Sequence, residues 1–226
     1  MAELFRVDIA ASQSVTALYY AAPAGKQAGI TLILGHGAGA NQTSAFMVTF
    51  ATALASRGID TVTFNFLYSE QRRRVPDPNN RLEACYRSVV DAVRGRRKYA
   101  SDRLAIGGKS MGGRIASQVA AAGAGELAGL VFLGYPLHPP GRSDRLRAAH
   151  LSDVKAPMLF VQGSRDAFGT PDELRPIIAR LEPAAELYVV DGGDHSFKVP
   201  KRVGVSQPTL YETIQQRVAE WLRHWS

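Results

Sequence analysis

An α/β fold, doubly wound, with a mostly parallel sheet covered by helices on both faces, is what this sequence predicts. Six apolar runs, "GITLILGHG", "IDTVTFNFLY", "DRLAIGG", "LAGLVFLGYPL", "APMLFVQG" and "AELYVVDG", lack the polar alternation of a half-exposed strand. Each must therefore be buried on both sides. Between them lie stretches with apolar residues at helical spacing, and a βαβα order of this kind builds one parallel sheet. With 226 residues, 46% of them hydrophobic and 21% charged, the chain suits one globular unit with a large core, so residues 1–226 are read as a single domain.

The elements follow in order. "LFRVDI" and "VTALYYAA" read as an opening hairpin joined by the polar turn "AASQS". The first buried run is followed by the helix "FMVTFATALASRG", stopped by Gly58. The second leads to "RLEACYRSVVDAVRGRR", with Leu82, Cys85, Val89 and Val93 on one face. After the third run a helix spans 111–122, and after the fourth a weakly helical polar stretch lies near 142–152. The fifth precedes "TPDELRPIIARL", where Thr170 and Glu173 form a capping box and Pro171 takes the first helical position. Pro176 sits deep enough to predict a kink or a late start. "TLYETIQQRVAEWLRHW" closes the chain, with Leu210, Ile214, Val218, Trp221 and Trp225 on one face.

Composition narrows the function classes. The single cysteine, Cys85, rules out an internal disulfide and a cysteine-built zinc site, and its place on an apolar helix face makes it a core residue. No run approaches the roughly eighteen apolar residues of a membrane span, and "MAELFRVDIA" lacks the pattern of a secretory signal. A cytoplasmic protein with no membrane partner is expected. The net charge of +7 is spread along the chain and reads as solvated surface, which disfavours a nucleic-acid partner. Composition leaves the oligomeric state open.

In a doubly wound sheet, ligands bind beyond the carboxyl ends of the strands, so the loops that follow the apolar runs are where chemistry is sought. After the third run stands Gly108-Lys109-Ser110-Met111-Gly112, a G-x-S-x-G pattern between strand and helix. Such a tight turn forces an unfavourable backbone angle on the serine and needs neighbours without Cβ atoms. The helix that starts there aims free amides and a positive dipole end at the same point. A phosphate-binding loop would need glycine where Arg103 stands, so that reading fails on spacing.

A serine hydroxyl needs a base to remove its proton, and an imidazole base needs a carboxylate to fix its tautomer. Asp166 follows the fifth run and His195 the sixth, in the order Ser, Asp, His that such a triad takes on this kind of sheet. Asp191 and Asp194 are rival acids, but Asp194 adjoins His195, and adjacent side chains rarely meet. His138, His150 and His224 do not follow the last strand, and His36 is expected to brace the loop "GHGAGA". The oxyanion hole is assigned to the amides of Met111 and Ala38.

Over nearly its whole length the sequence resembles the α/β-hydrolase superfamily. "GHGAGA", "FNFLY", "GGKSMGGR", "GYPLHPPG", "VQGSRDAFG" and "GGDHSF" look like the branch related to dienelactone hydrolase, which includes testis-expressed hydrolase-like proteins and a chromatin-complex subunit. The resemblance implies the α/β-hydrolase fold and a small esterase- or peptidase-like enzyme, some members of the branch serving as interaction proteins. Dienelactone hydrolase has a cysteine at this elbow where the chain has Ser110, so lactone hydrolysis does not carry over.

The expectation is a hydrolase that cleaves a small ester or thioester through an acyl-enzyme, with no metal or organic cofactor required. A peptidase with the same triad and a non-catalytic interaction module stay open as alternatives. Only "HPPGRSDRLRAAHLSDVKAP" separates the fourth run from the fifth, too little for a lid domain, which predicts a shallow, open site. Lys109, Tyr68, Tyr135, Phe168 and Phe197 are candidates to line it, with Phe66, Leu67 and Leu137. Lys109 is expected to face solvent, pair with a carboxylate or touch substrate. Arg72, Arg73, Arg74, Arg142, Arg145, Arg147, Arg165, Lys198, Lys201 and Arg202 follow strand ends and predict a positive rim that favours anionic substrates.

Overall fold

Glu3–Ala10 (β1) and Gln13–Tyr20 (β2) form an antiparallel pair that alternates buried and exposed side chains, as a strand with one covered face must. The expected turn is shorter than "AASQS", because Ala10 already pairs with Gln13. In this computed structural model, residues 2–10, 12–96, 99, 101, 103–183, 185–200 and 204–224 are described.

The six apolar runs become Ile30–Gly35 (β3), Asp60–Phe64 (β4), Arg103–Lys109 (β5), Gly129–Leu133 (β6), Met158–Gly163 (β7) and Ala185–Val190 (β8). They join the hairpin in one eight-stranded sheet of order β1-β2-β4-β3-β5-β6-β7-β8. β3 to β8 pair in parallel, whereas β2 runs antiparallel to β4. Every residue of β3, β4, β6 and β7 is buried; β8, at the sheet edge, is half-buried along most of its length.

Period two along the strands divides their side chains between two cores. Ile33, Ile106, Phe132 and Phe160 face one side, where Asn79–Arg94 (α3), Met111–Ala121 (α4) and Pro171–Ile178 (α5) pack. Leu32, Leu34, Val131 and Val161 face the other, covered by Ala45–Ser56 (α1) and Gln207–His224 (α6). Gly58, at φ +90°, stops α1 as expected. Cys85 is buried in the first core, and burial pushes its thiol up to about 12. Ile214, Val218 and Trp221 of α6 are buried in the second; Trp225 lies outside the described residues.

Three expectations need correction. "IDTVTFNFLY" does not continue as strand to Tyr68: it stops at Phe64, and Leu67–Glu70 forms a short helix (α2). Asn65 makes the break, its side chain accepting the Gln42 N–H at 3.0 Å and donating to Glu70 at 2.9 Å. The polar stretch near 142–152 is mostly loop, and only Ala149–Asp153 forms a 3₁₀ turn. The Pro139–Gly141 corner starts that loop in turns, and Leu151 is its only buried residue before Val154. α5 keeps its capping box and starts at Pro171, but it ends at Ile178 rather than kinking at Pro176. Among the described residues, no helix is long and apolar enough to cross a membrane.

Candidate active site

β5 delivers the chain to the centre of the sheet edge, and the turn into α4 puts Ser110 at φ +51°, ψ −116°. A non-glycine residue in that region costs about 1–3 kcal/mol and persists only where its surroundings over-determine it. Here they do. Ser110 N–H donates to the Leu133 carbonyl at 3.1 Å, and the Ser110 carbonyl accepts the first helical bond, from Arg114 N–H, at 3.1 Å. A Cβ at either Gly108 or Gly112 would collide with the Gly35 carbonyl oxygen, so both glycines are needed for strand and helix to meet over β3.

The loops after β7 and β8 bring the other two groups to the serine. His195 Nε2 lies 2.8 Å from Ser110 Oγ, and His195 Nδ1 lies 2.8 and 3.0 Å from the two carboxylate oxygens of Asp166. Asp166 is fully buried while His195 is 21% exposed, so the carboxylate is dry and the imidazole reaches the cavity. An ionised Asp166 can only accept, which assigns the Nδ1–H to it and leaves the Nε2 lone pair for the serine hydroxyl. Asp166 also accepts Gln162 Nε2–H at 2.9 Å and the Phe168 amide at 2.8 Å, which satisfies its buried oxygens. Phe168 lies against the imidazole at 4.2 Å between ring centroids. Asp194 instead accepts the Ser196 and Lys198 amides, shaping the loop that carries His195.

His36 braces its loop, as expected: Nε2 accepts the Phe66 amide at 3.2 Å, so Nδ1–H donates to the Gly37 carbonyl at 2.9 Å. Burial pushes its pKa down to about 4, only partly opposed by that donated bond. Met111 opens α4, so its amide is among the helix's unpaired donors, and Ala38 lies beside Ser110 in the cavity walls.

Lys109 does not face open solvent, and among the described residues it pairs with no carboxylate. Its Nζ donates to the His195 backbone carbonyl at 2.6 Å, near the rings of Phe197 and Phe46. Desolvation pulls its pKa down to about 8, against the opposing charges of Asp166 and Asp194.

Two cavities open on Ser110. The larger, about 460 Å³, is lined by Phe46, Met47, Lys109, Phe168, His195 and Tyr211 among others. The smaller, about 220 Å³, contains Met111, Asp77, Arg114 and Arg147, and shares Ala38, Ser110 and Phe168 with the first. Of the lining candidates, Lys109 and Phe168 are in place, whereas Tyr68, Tyr135 and Phe197 are not: they are buried at 1%, 0% and 0% exposure, as core. Phe66 and Leu137 are fully buried too, and Leu67 lines neither cavity. Phe46, Met47 and Tyr211 were missed because they sit on α1 and α6, which only tertiary packing brings to the strand ends.

The basic rim is sparser than expected. Lys198 lines the larger cavity and Arg147 the smaller; Arg72, Arg73, Arg74, Arg142, Arg145 and Arg165 line neither. Arg73 is paired with Asp77 at 2.7 Å and Arg142 with Asp144 at 3.2 Å. Lys201 and Arg202 lie outside the described residues. Arg114 was missed, although the quoted "GGKSMGGR" ends on it, one helical turn past the serine.

The sheet order, the elbow and the converging strand-end loops are those of a hydrolase. The alpha/beta hydrolase domain family matches residues 28–223, and the chain belongs to that family. Among solved structures it is similar to dienelactone hydrolase from Anabaena variabilis, at 21% identity, TM-score 0.77, covering 99% of this chain and 97% of that one. It is also similar to an α/β serine hydrolase without a lid from Xanthomonas campestris, at 21% identity, TM-score 0.71, covering 99% and 93%. Est1E from Butyrivibrio proteoclasticus matches at 12% identity, TM-score 0.76, over 98% of each chain.

Proposed function

We propose that this α/β-hydrolase cleaves small esters or thioesters through a covalent acyl-enzyme, with residues 1–226 acting as one catalytic unit. The observation that carries the reading is the unbroken relay from Ser110 Oγ through His195 to buried Asp166, in the wall of an open, largely apolar cavity. Ser110 Oγ attacks the acyl carbonyl while His195 Nε2 takes its proton, and Asp166 holds the imidazolium that forms. The amides of Met111 and Ala38 receive the developing oxyanion. Collapse expels the alkoxide or thiolate, which takes from Nε2 the proton that Ser110 gave up, and water repeats the sequence to release the acid. Lys109 supports the base indirectly by tying down the His195 carbonyl.

Labelling with a fluorophosphonate probe tests this. The wild type is expected to label, and Ser110→Ala and His195→Ala are expected to lose labelling. Both substitutions should also lower kcat toward short acyl esters by about 10⁴-fold or more. A folded wild type that does not label would overturn the reading.

A further inference from the structure

Which half of a substrate enters which cavity is decided by the proton path. His195 must hand its proton to the leaving oxygen, so the leaving group has to lie on the side that His195 lines, which is the larger cavity. The acyl chain then extends the other way from Ser110, into the smaller cavity, which Met111 lines and His195 does not.

That smaller cavity is lined by more positive than negative charge. Arg114 donates to two neutral amide oxygens, Gln118 Oε1 at 3.2 Å and Asn79 Oδ1 at 3.0 Å. The Arg147 guanidinium makes no hydrogen bond among the described residues, but its backbone is pinned on both sides. Its N–H donates to Leu137 and its carbonyl accepts the Tyr135 hydroxyl, each at 2.8 Å. Among the described residues, neither arginine forms an ion pair. The one carboxylate in the cavity wall, Asp77, is already bound to Arg73. Desolvation and then the nearby charge of Arg147 hold the pKa of Arg114 below its ordinary value, against the opposing pull of Tyr135 and Glu83. Two guanidinium groups in the wall of one small cavity lack an anion among the described residues, and a carboxylate suits their planar donors.

We propose that Arg114 and Arg147 bind a carboxylate at the far end of the acyl chain, so that the preferred substrates are half-esters or half-thioesters of short dicarboxylic acids. This rests on the serine-hydrolase reading and adds to it the side and the charge of the acyl group. The cavity's volume of about 220 Å³ limits the chain to a short one.

The test compares kcat/KM for monobenzyl glutarate, benzyl hexanoate and 4-carboxybenzyl hexanoate. The wild type should prefer monobenzyl glutarate to benzyl hexanoate by about tenfold or more, the worth of a charge-assisted hydrogen bond. It should show no such preference for the ester whose carboxylate sits on the alcohol. In Arg114→Gln and Arg147→Gln the preference should fall toward unity. Arg147→Gln guards against misfolding, because it removes a side chain with no hydrogen bond of its own, and thermal melts confirm that each variant folds. Arg147→Glu should shift preference toward benzyl 5-aminopentanoate. Equal rates for the first two esters, a preference untouched by the variants, or a preference for the carboxylate on the alcohol would overturn the subsite while leaving the esterase reading intact. If no ester is cleaved and the serine does not label, both fall together.

Discussion

The Asp166 carboxylate is held as an acceptor toward the His195 Nδ1–H because the other groups around it also donate. Gln162 is central to that: its Nε2 donates to Asp166 and to the Gly169 carbonyl, and its Oε1 accepts the buried Tyr135 amide at 2.8 Å. Gln162→Leu keeps the bulk and orphans these groups, so it should lower unfolding free energy by about 1–3 kcal/mol, read from urea denaturation. His36 sets a pH dependence. Its folded pKa of about 4 lies below the ordinary 6.5, so between those values the unfolded chain holds a proton that the folded protein does not. The contribution is therefore fully present above about pH 6.5 and is lost as pH falls toward 4, with a magnitude on the order of 3 kcal/mol. Unfolding free energies at pH 7.5, 6 and 5 should converge between the wild type and His36→Gln as the pH drops; parallel curves would show that His36 does not carry the effect. The placement of Asp166 and His195 beside Ser110 was legible because each follows a strand end. Gln162 was not, because its role exists only where Tyr135, Asp166 and Gly169 converge on one side chain.

The elbow between β5 and α4 is sensitive to a single methyl group. A Cβ on Gly112 runs into the Gly35 carbonyl of β3, where neither backbone can yield without parting the strands. Gly123, beyond the end of α4, has open space around it and only its φ of +83° to strain. Gly112→Ala should thus abolish soluble expression or lower the melting temperature far more than Gly123→Ala, which should cost about 1 kcal/mol. Similar destabilisation in both would mean that crowding against β3 is not the constraint. The loop bearing His195 is seated in the same manner, since a side chain at Gly163 would meet the Gly193 and Asp194 carbonyls. At this scale the strands were readable because most of the buried runs end in glycines at the site, β4 excepted. α2 was not, because four residues are too few for a helical period and the apolar "FNFLY" resembles more strand.

Taken whole, the molecule keeps its candidate site uncovered because the segment between β6 and β7 is tied into the core instead of being free to form a lid. Leu137, Leu151 and Val154 are all fully buried. Initial rates against tributyrin should rise hyperbolically through its solubility limit; a jump on reaching the emulsion would reveal a cover that moves. The sequence by itself determined the number of the parallel strands and their succession along the chain, the elbow serine, and the places of Asp166 and His195 after the last two strands. Each of these is written in local periodicity, glycine placement and chain order. Only the tertiary structure decided which aromatic side chains line the cavities and which fill the core, since a strand-end side chain can turn either way until distant helices pack on it. It alone decided that Lys109 holds the backbone of His195, and that Arg114 and Arg147, from α4 and the loop after β6, share one small cavity. Those pairings join residues far apart in the chain, and no local pattern encodes them.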